Sequence, residues 1–440
     1  MIGSLILLIF FFLGLVKKNY NIIVYVFVIS MLNDLFLLPF GFALPIHSVI
    51  SLFYLPSLFR KKTLQILNNN KTGINFIFYE FAYTIFITIL FGIIFPWKSL
   101  IDYQRSWNQI AEFKSIIQIF RLIADFGVFI LIFNWLDEKK ISFVKIEKII
   151  KNVIIVTVLI GITDFFLNFT LKNILFSNYN RSEELFGRFT SFCGEPRVFG
   201  KSCLFAFNYL LFFGNRKNYI AKMLSVIGIL ISLSASTFIL FIISILLYSY
   251  LKRKFWVILA FAITGSIASI FLITNDFFMD NTYKKIEVVL SGNLDALDDD
   301  KITEHEPNLF TRFEVFDRAA LNFLYEKPLY FFIGTGSNLV SIPASPYLSS
   351  VAYAIYGDRI DSAPHTFIVN LFSRSGLIGF TLWILFYFKF LYYNYKKDKK
   401  GTHFFIFLFF ANFIAFNIIF YFFLGLIYFS KRQVLQYNYA

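Results

Sequence analysis

The stretch Ala363-Pro364-His365-Thr366-Phe367-Ile368-Val369-Asn370-Leu371-Phe372-Ser373-Arg374-Ser375-Gly376-Leu377-Ile378-Gly379 marks where a long polar segment gives way to an apolar helix. Before it, residues Asn275 to Pro364 form the only extended hydrophilic stretch in a chain that otherwise reads as membrane protein. The titratable imidazole of His365 therefore stands where a large loop enters an apolar helix. A protein that does chemistry at a bilayer surface needs such a boundary, and a simple anchor does not. The pattern favours an enzyme.

Composition supports the membrane setting. Of 440 residues, 58% are hydrophobic and only 15% charged, against roughly a quarter charged in an ordinary soluble domain. Mean hydropathy is +0.67. Apolar runs of about 18 residues or more recur, as in a bundle of transmembrane helices. A transmembrane barrel would alternate apolar and polar residues over about ten positions, and these runs are apolar all round. The net charge of +14 does not point to nucleic acid. The lysines and arginines cluster in short linkers between apolar runs, as the positive-inside rule requires. Cys193 and Cys203 suggest neither a disulfide framework nor a zinc site.

The basic clusters set a topology. Lys17-Lys18, Arg60-Lys61-Lys62, Lys139-Lys140, Arg216-Lys217, Lys252-Arg253-Lys254 and Lys396-Lys397 with Lys399-Lys400 are each separated by one pair of apolar runs. Spans are expected at 2–16, 20–38, 42–59, 74–95, 116–136, 148–170, 197–214, 219–233, 236–251, 254–274, 366–390 and 403–429. The last run reads either as one tilted helix or as two short ones broken near Ala411-Asn412. The expectation is an all-α polytopic membrane protein of about twelve helices. It forms a single transmembrane domain over residues 1–440 with one large extracytoplasmic loop over 275–364. The first run has no basic residue before it and no small-residue cleavage site, which reads as a retained helix with its N-terminus outside.

This topology puts three segments outside. Pro96 to Ser115, with Trp97 and Trp107, reads as an interfacial amphipathic piece. Leu171 to Pro196 is the second. The third is the large loop, in which a helix is expected over about 309–325. Leu309, Phe310, Phe313, Phe316, Ala320, Leu321 and Leu324 recur at spacings of three and four, and Lys327-Pro328 ends the run. The acidic stretch Asp295 to Glu306 lacks the ligand spacing of an EF-hand loop and reads as solvated. Gly334-Thr335-Gly336 lacks the strand and helix context of a dinucleotide fingerprint. No internal repeat is visible.

Residues suited to chemistry gather in these outer segments. Arg188, Glu195 and Arg197 stand among glycines and a proline at the mouth of the helix at 197–214. An arginine near headgroups can be only a snorkelling anchor, and for Arg197 and Glu195 both readings stand. Arg312 lies among Phe310, Phe313 and Phe316, where a cation needs an anionic partner. Arg318, six positions on, falls on another face and reads as solvated. Among the four histidines, only His365 combines an outer boundary with a preceding proline and a following glycine-containing helix. Guanidinium groups bind a lipid diphosphate bidentately and offset leaving-group charge. An imidazole titrating near neutrality can accept a proton from an attacking sugar hydroxyl, or orient that hydroxyl. No metal-ligand cluster is visible, and an arginine-rich site can replace a divalent ion.

Three blocks resemble the O-antigen polymerase and O-antigen ligase superfamily, which includes the Wzy-type capsule and exopolysaccharide polymerases. The first is Gly187-Arg188-Phe189 with Glu195-Pro196-Arg197-Val198-Phe199-Gly200. The second is Arg312 with Pro328-Leu329 and Ile333-Gly334-Thr335-Gly336. The third is His365 with Asn370-Leu371 and Gly376-Leu377-Ile378-Gly379. Ser232 to Thr237 is similar to the family's serine-rich helix start, but without an arginine often found there. The blocks span residues 187 to 379. The resemblance implies a membrane glycosyltransferase fold, an undecaprenyl-diphosphate-linked glycan as donor, and inverting transfer without metal, nucleotide sugar or other cofactor. It implies that Arg188 and Arg312 hold the diphosphate and that His365 serves the acceptor hydroxyl, with Glu195 and Arg197 as substrate-binding candidates. The expected setting is the bacterial cytoplasmic membrane, with the site facing outward and a chain-length regulator as a candidate partner. A ligase acting on lipid A core and a polysaccharide or lipid transporter are the alternatives. Paired, interrupted halves of the transporter kind are not visible in the sequence.

Overall fold

A computed structural model describes residues 2–33, 36–39, 43–97, 110–137, 141–171, 196–212, 218–232, 234–254, 256, 316–348, 364, 366–397, 399–412 and 418–437. It is a helical bundle. In chain order the helices are α1 (Ile2–Val16), α2 (Tyr20–Asn33), α3 (Ile46–Phe53), α4 (Lys61–Leu67), α5 (Ile74–Ile89) and α6 (Ala111–Asp137). They continue with α7 (Phe143–Leu171), α8 (Pro196–Phe212), α9 (Tyr219–Ile231), α10 (Ala235–Lys252), α11 (Arg318–Glu326) and α12 (Pro328–Ile333). The chain closes with α13 (Phe367–Lys397), α14 (Lys399–Asn412) and α15 (Ile418–Tyr437). Among the described residues the one exception is a short antiparallel pair, β1 (Phe36–Pro39) and β2 (Ala43–Pro45).

Among the described residues, Ile74–Ile94, Ala111–Leu136 and Phe367–Lys396 are long and apolar enough to cross a membrane. Leu5–Val16, Tyr20–Asn33, Val198–Phe212, Tyr219–Ile231, Thr237–Lys252 and Ile419–Phe429 are shorter apolar helices. Two expected spans differ from the reading above. Helix α2 stops at Asn33 rather than residue 38, and the span expected at 42–59 holds β2, the short α3 and a 3-10 turn at Leu55–Phe59. Prolines account for the change. Pro39 and Pro45 carry no N–H for a continuing helix, and Pro45 takes up extended geometry (φ −66°, ψ 142°) just before α3. In the last run, α14 and α15 lie on either side of residues 413–417, which are outside the described ones. The span expected at 254–274 lies outside the described residues, apart from Lys254 and Trp256.

The interior is aromatic and aliphatic. Phe27 packs edge-on against Trp135 and stacks on Phe422, and Phe205 stacks on Phe423. Phe12, Phe86, Val156 and Phe388 are exposed, as the lipid-facing side of a span would be. Buried hydroxyls and amides join helices where apolar packing alone gives no register. The Ser30 hydroxyl meets Nδ1 of His47 at 3.2 Å and accepts the His47 N–H at 3.0 Å. Ser51 donates to the Ala124 carbonyl, and Thr157 donates to Asn33 at 3.3 Å.

Two features position the start of α13. Helix α13 packs along α5 and α12. Helix α11 closes over the start of α13 through Ala319, Ala320, Phe323 and Leu324, which meet Val340, Ala344 and Val369. This stripe keeps the expected Phe316, Ala320 and Leu324, adds Ala319 and Phe323, and turns Leu321 outward. Positions 316, 319, 320, 323 and 324 keep the three-and-four spacing of one helical face. Arg318 is exposed, as expected. Residues 309–315 of the expected helix lie outside the described ones.

Candidate functional site

Helix α13 is two helices in one. Its backbone leaves helical geometry at Gly376 (φ 61°, ψ −164°), a left-handed φ that favours glycine. A Cβ there would lie 2.6 Å from the Gly334 nitrogen and closer still to the Phe332 carbonyl. The first part, residues 367–375, is thus a short half-helix ending against the turn after α12. A broken helix exposes carbonyls that need donors, and Gly334-Thr335-Gly336 supplies them. The Thr335 N–H and hydroxyl both donate to the Ser373 carbonyl, at 2.7 and 2.8 Å, and the Gly336 N–H donates to that of Arg374 at 3.1 Å. Gly334 (φ 83°) allows this approach, since a Cβ there would sit 2.6 Å from the Arg374 carbonyl oxygen. Irregular backbone at membrane depth is tolerated where protein covers it, and Gly334, Thr335 and Gly336 are all buried.

Helix α5 fixes the same turn. The Tyr83 hydroxyl donates to the Ile333 carbonyl at 2.9 Å. The Ser337 N–H donates to the Thr88 hydroxyl at 2.9 Å. Across the break lies a buried ion pair: Arg374 Nη2 and Glu80 Oε1 are 2.8 Å apart, with side chains 6% and 1% exposed. The same Oε1 accepts the hydroxyls of Thr84 at 2.9 Å and Ser375 at 3.3 Å. Ionisable residues inside a membrane bundle are costly and mark function more often than not. Removing one partner of a buried pair typically costs about 3–5 kcal/mol, because the other charge is left buried.

The other end of the half-helix is held from α11. Asp317 is fully buried, and its carboxylate accepts the Thr366 N–H at 3.1 and 3.4 Å. A carboxylate at a helix N-terminus also meets the positive end of the helix dipole. Asn370 Nδ2 donates to the Pro364 carbonyl at 3.1 Å. The positions on either side of His365 are therefore both tied down, one of them to the residue that opens α11. Beside this lies a second polar patch. Lys114 Nζ donates to the Ser341 hydroxyl at 2.8 Å, Asn338 Nδ2 to Gln118 at 3.0 Å, and Trp97 Nε1 to the Thr335 carbonyl at 3.4 Å. Further out, the Tyr347 hydroxyl donates to Glu326 at 2.5 Å, and this bond to a carboxylate pushes its pKa up.

His365, Arg312, Arg188 and Glu195 themselves lie outside the described residues. Arg197 occupies the second position of α8, and only its backbone is described. The tie from Asp317 to Thr366 brings the chain five residues after Arg312 to the residue after His365. Sequence reasoning did not single out Glu80, Asp317 or Arg374. The signal for Glu80 was present, as a lone carboxylate in Phe78-Tyr79-Glu80-Phe81 within an apolar run. Arg374 was likewise visible between His365 and its trailing glycines.

Comparison with curated proteins gives no match. The family comparison does, over a stretch that takes in Arg312, the Gly334-Thr335-Gly336 turn, His365 and both parts of the break at Gly376, and leaves Arg188, Glu195, Arg197 and Glu80 before it. Residues 220–384 match the model of the O-antigen ligase family, which supports placing the chain in the O-antigen polymerase and ligase superfamily.

Proposed function

We propose that the chain polymerises undecaprenyl-diphosphate-linked oligosaccharide repeat units into O-antigen, capsule or exopolysaccharide. Transfer occurs at the outer face of the bacterial cytoplasmic membrane, by inverting chemistry without metal or cofactor. The protein is a single domain of about twelve spans, with residues 275–364 as its large outer loop. The observation that carries this reading is the coincidence of the family match over residues 220–384 with the double tether around His365. A group that must meet a reacting atom belongs on rigid backbone, and the residues flanking His365 have it.

In the proposed reaction an acceptor sugar hydroxyl attacks the anomeric carbon of the lipid-linked glycan. The new glycosidic bond forms as the bond to the diphosphate oxygen breaks, with inversion at that carbon. The hydroxyl proton passes to the His365 imidazole. The lipid diphosphate leaves with the bonding pair, and Arg188 and Arg312 hold its charge. Arg197 and Glu195 complete the substrate contacts, and a chain-length regulator is a candidate partner. We expect His365→Ala and Arg312→Ala each to abolish long-chain polysaccharide while the amount of protein in the membrane is unchanged. Normal chain-length ladders from both would overturn the assignment.

The ligase reading is favoured by the description of the matched family, and it uses the same donor. In cells that make the lipid-linked unit but no lipid A core, a polymerase still builds long chains on the lipid carrier. A ligase leaves single units there. A transporter would give neither result, and it would not require the imidazole.

A further inference from the structure

The Glu80–Arg374 pair plays no part in the transfer proposed above, yet it buries two full charges. Well-packed apolar residues hold two helices together at least as stably as such a pair. What the pair adds is direction. The arginine fork is planar and rigid, and Glu80 Oε1 receives it together with the hydroxyls of Thr84 and Ser375. Arg374 and Ser375 are the last two residues before the break at Gly376. Helix α5, which carries Glu80, also holds the glycine turn through Tyr83 and Thr88. One helix therefore sets both the turn that ends the half-helix and the rotation of the half-helix about its axis.

We propose that Glu80 and Arg374 are positioning residues for glycosyl transfer: their ion pair fixes the short helix at residues 367–375, so that His365 meets the acceptor hydroxyl. The inference rests on the reading of His365 given above. It assigns the buried pair to alignment of that residue, while Asp317 and Asn370 hold the near end.

The test replaces both charges at once, so that neither is left buried alone. The Glu80→Met, Arg374→Met double variant is expressed as the full chain in cells that lack the native protein but make its lipid-linked glycan. Three quantities are read: protein in the membrane, its thermal melt in detergent, and long-chain polysaccharide. The expected result is normal accumulation and melting with polysaccharide output down about a hundredfold, the cost of a small misplacement of a reacting group. Normal output from this variant overturns the proposal and reduces the pair to a fold contact. If the double variant does not accumulate, Thr84→Ala with Ser375→Ala decides, because it keeps the ion pair and removes two of the three donors to Oε1. A fall of about fivefold at unchanged protein level, the scale of one ordinary hydrogen bond, supports positioning, and no fall overturns it. His365→Ala runs in the same assay. Activity in that variant sinks the catalytic reading, whereas activity in the pair variants sinks only the positioning.

Discussion

At the scale of single residues, the tightest constraint is Gly376. Its φ of 61° and its contact with the Phe332 carbonyl leave no room for a side chain. Gly376→Ala should destabilise the protein by about 2–5 kcal/mol, combining left-handed strain with overpacking. The measurement is the thermal midpoint of the protein in detergent, and an alanine variant that melts with the parent would contradict the geometry. The glycine was visible in the sequence as one of the residues trailing His365, but its role was not. A pattern Gly376-Leu377-Ile378-Gly379 reads equally well as a helix-packing face. Only the fold shows that the first glycine breaks the helix and the Gly334 turn fills the break. Glu80 and Arg374 were hidden for a related reason. Each is legible as a charge in an apolar run, but they stand 294 positions apart, and nothing local pairs them.

At the scale of elements, the half-helix of residues 367–375 is the unit on which the proposed site depends. Nine residues form a marginal helix in isolation, so its stability comes from packing of Phe367, Val369 and Leu371, all buried, and from the tethers at its ends. Asp317→Ala removes the acceptor for the Thr366 N–H and should cost about 1 kcal/mol, as loss of a helix cap does. Asp317→Asn keeps an oxygen in place and should cost less. The expected order in thermal midpoint is parent, asparagine, alanine, with polysaccharide output falling in the same order. An alanine variant equal to the parent in both would mean that the tether holds nothing. The amphipathic helix that carries this aspartate was readable from its three-and-four spacing, as was its end at Lys327-Pro328. Its register is the expected one, with Phe316, Ala320 and Leu324 buried, but Leu321 faces outward and Phe323 inward, because both are apolar and only packing against Val340 and Val369 decides which is buried. The expected spans at 20–38 and 42–59 failed where hydropathy outweighed proline. Composition there is as apolar as any span, yet Pro39 and Pro45 interrupt the backbone ladder and a short strand pair results.

At the scale of the whole molecule, the helical bundle follows from composition, because a chain this apolar must satisfy its backbone internally. Orientation is expected from a different property, the distribution of lysine and arginine, and the proposed function needs the His365 end of α13 to face outward. If the basic clusters lie inside, then Lys254 is cytoplasmic, and Tyr325 on the exposed side of α11 is outside, on the same face as His365. Tyr325 is 89% exposed, and Lys254 is exposed as well, so a cysteine at either place can react. Cys203 is buried, and Cys193→Ser removes the remaining native thiol. In that background, Tyr325→Cys should react with a membrane-impermeant maleimide in intact spheroplasts, and Lys254→Cys only after lysis. The opposite pattern would put the tethered half-helix and its histidine on the cytoplasmic side. There, no lipid-linked glycan delivered to the outer face could reach them, and the transfer proposed for this fold would lose its substrate.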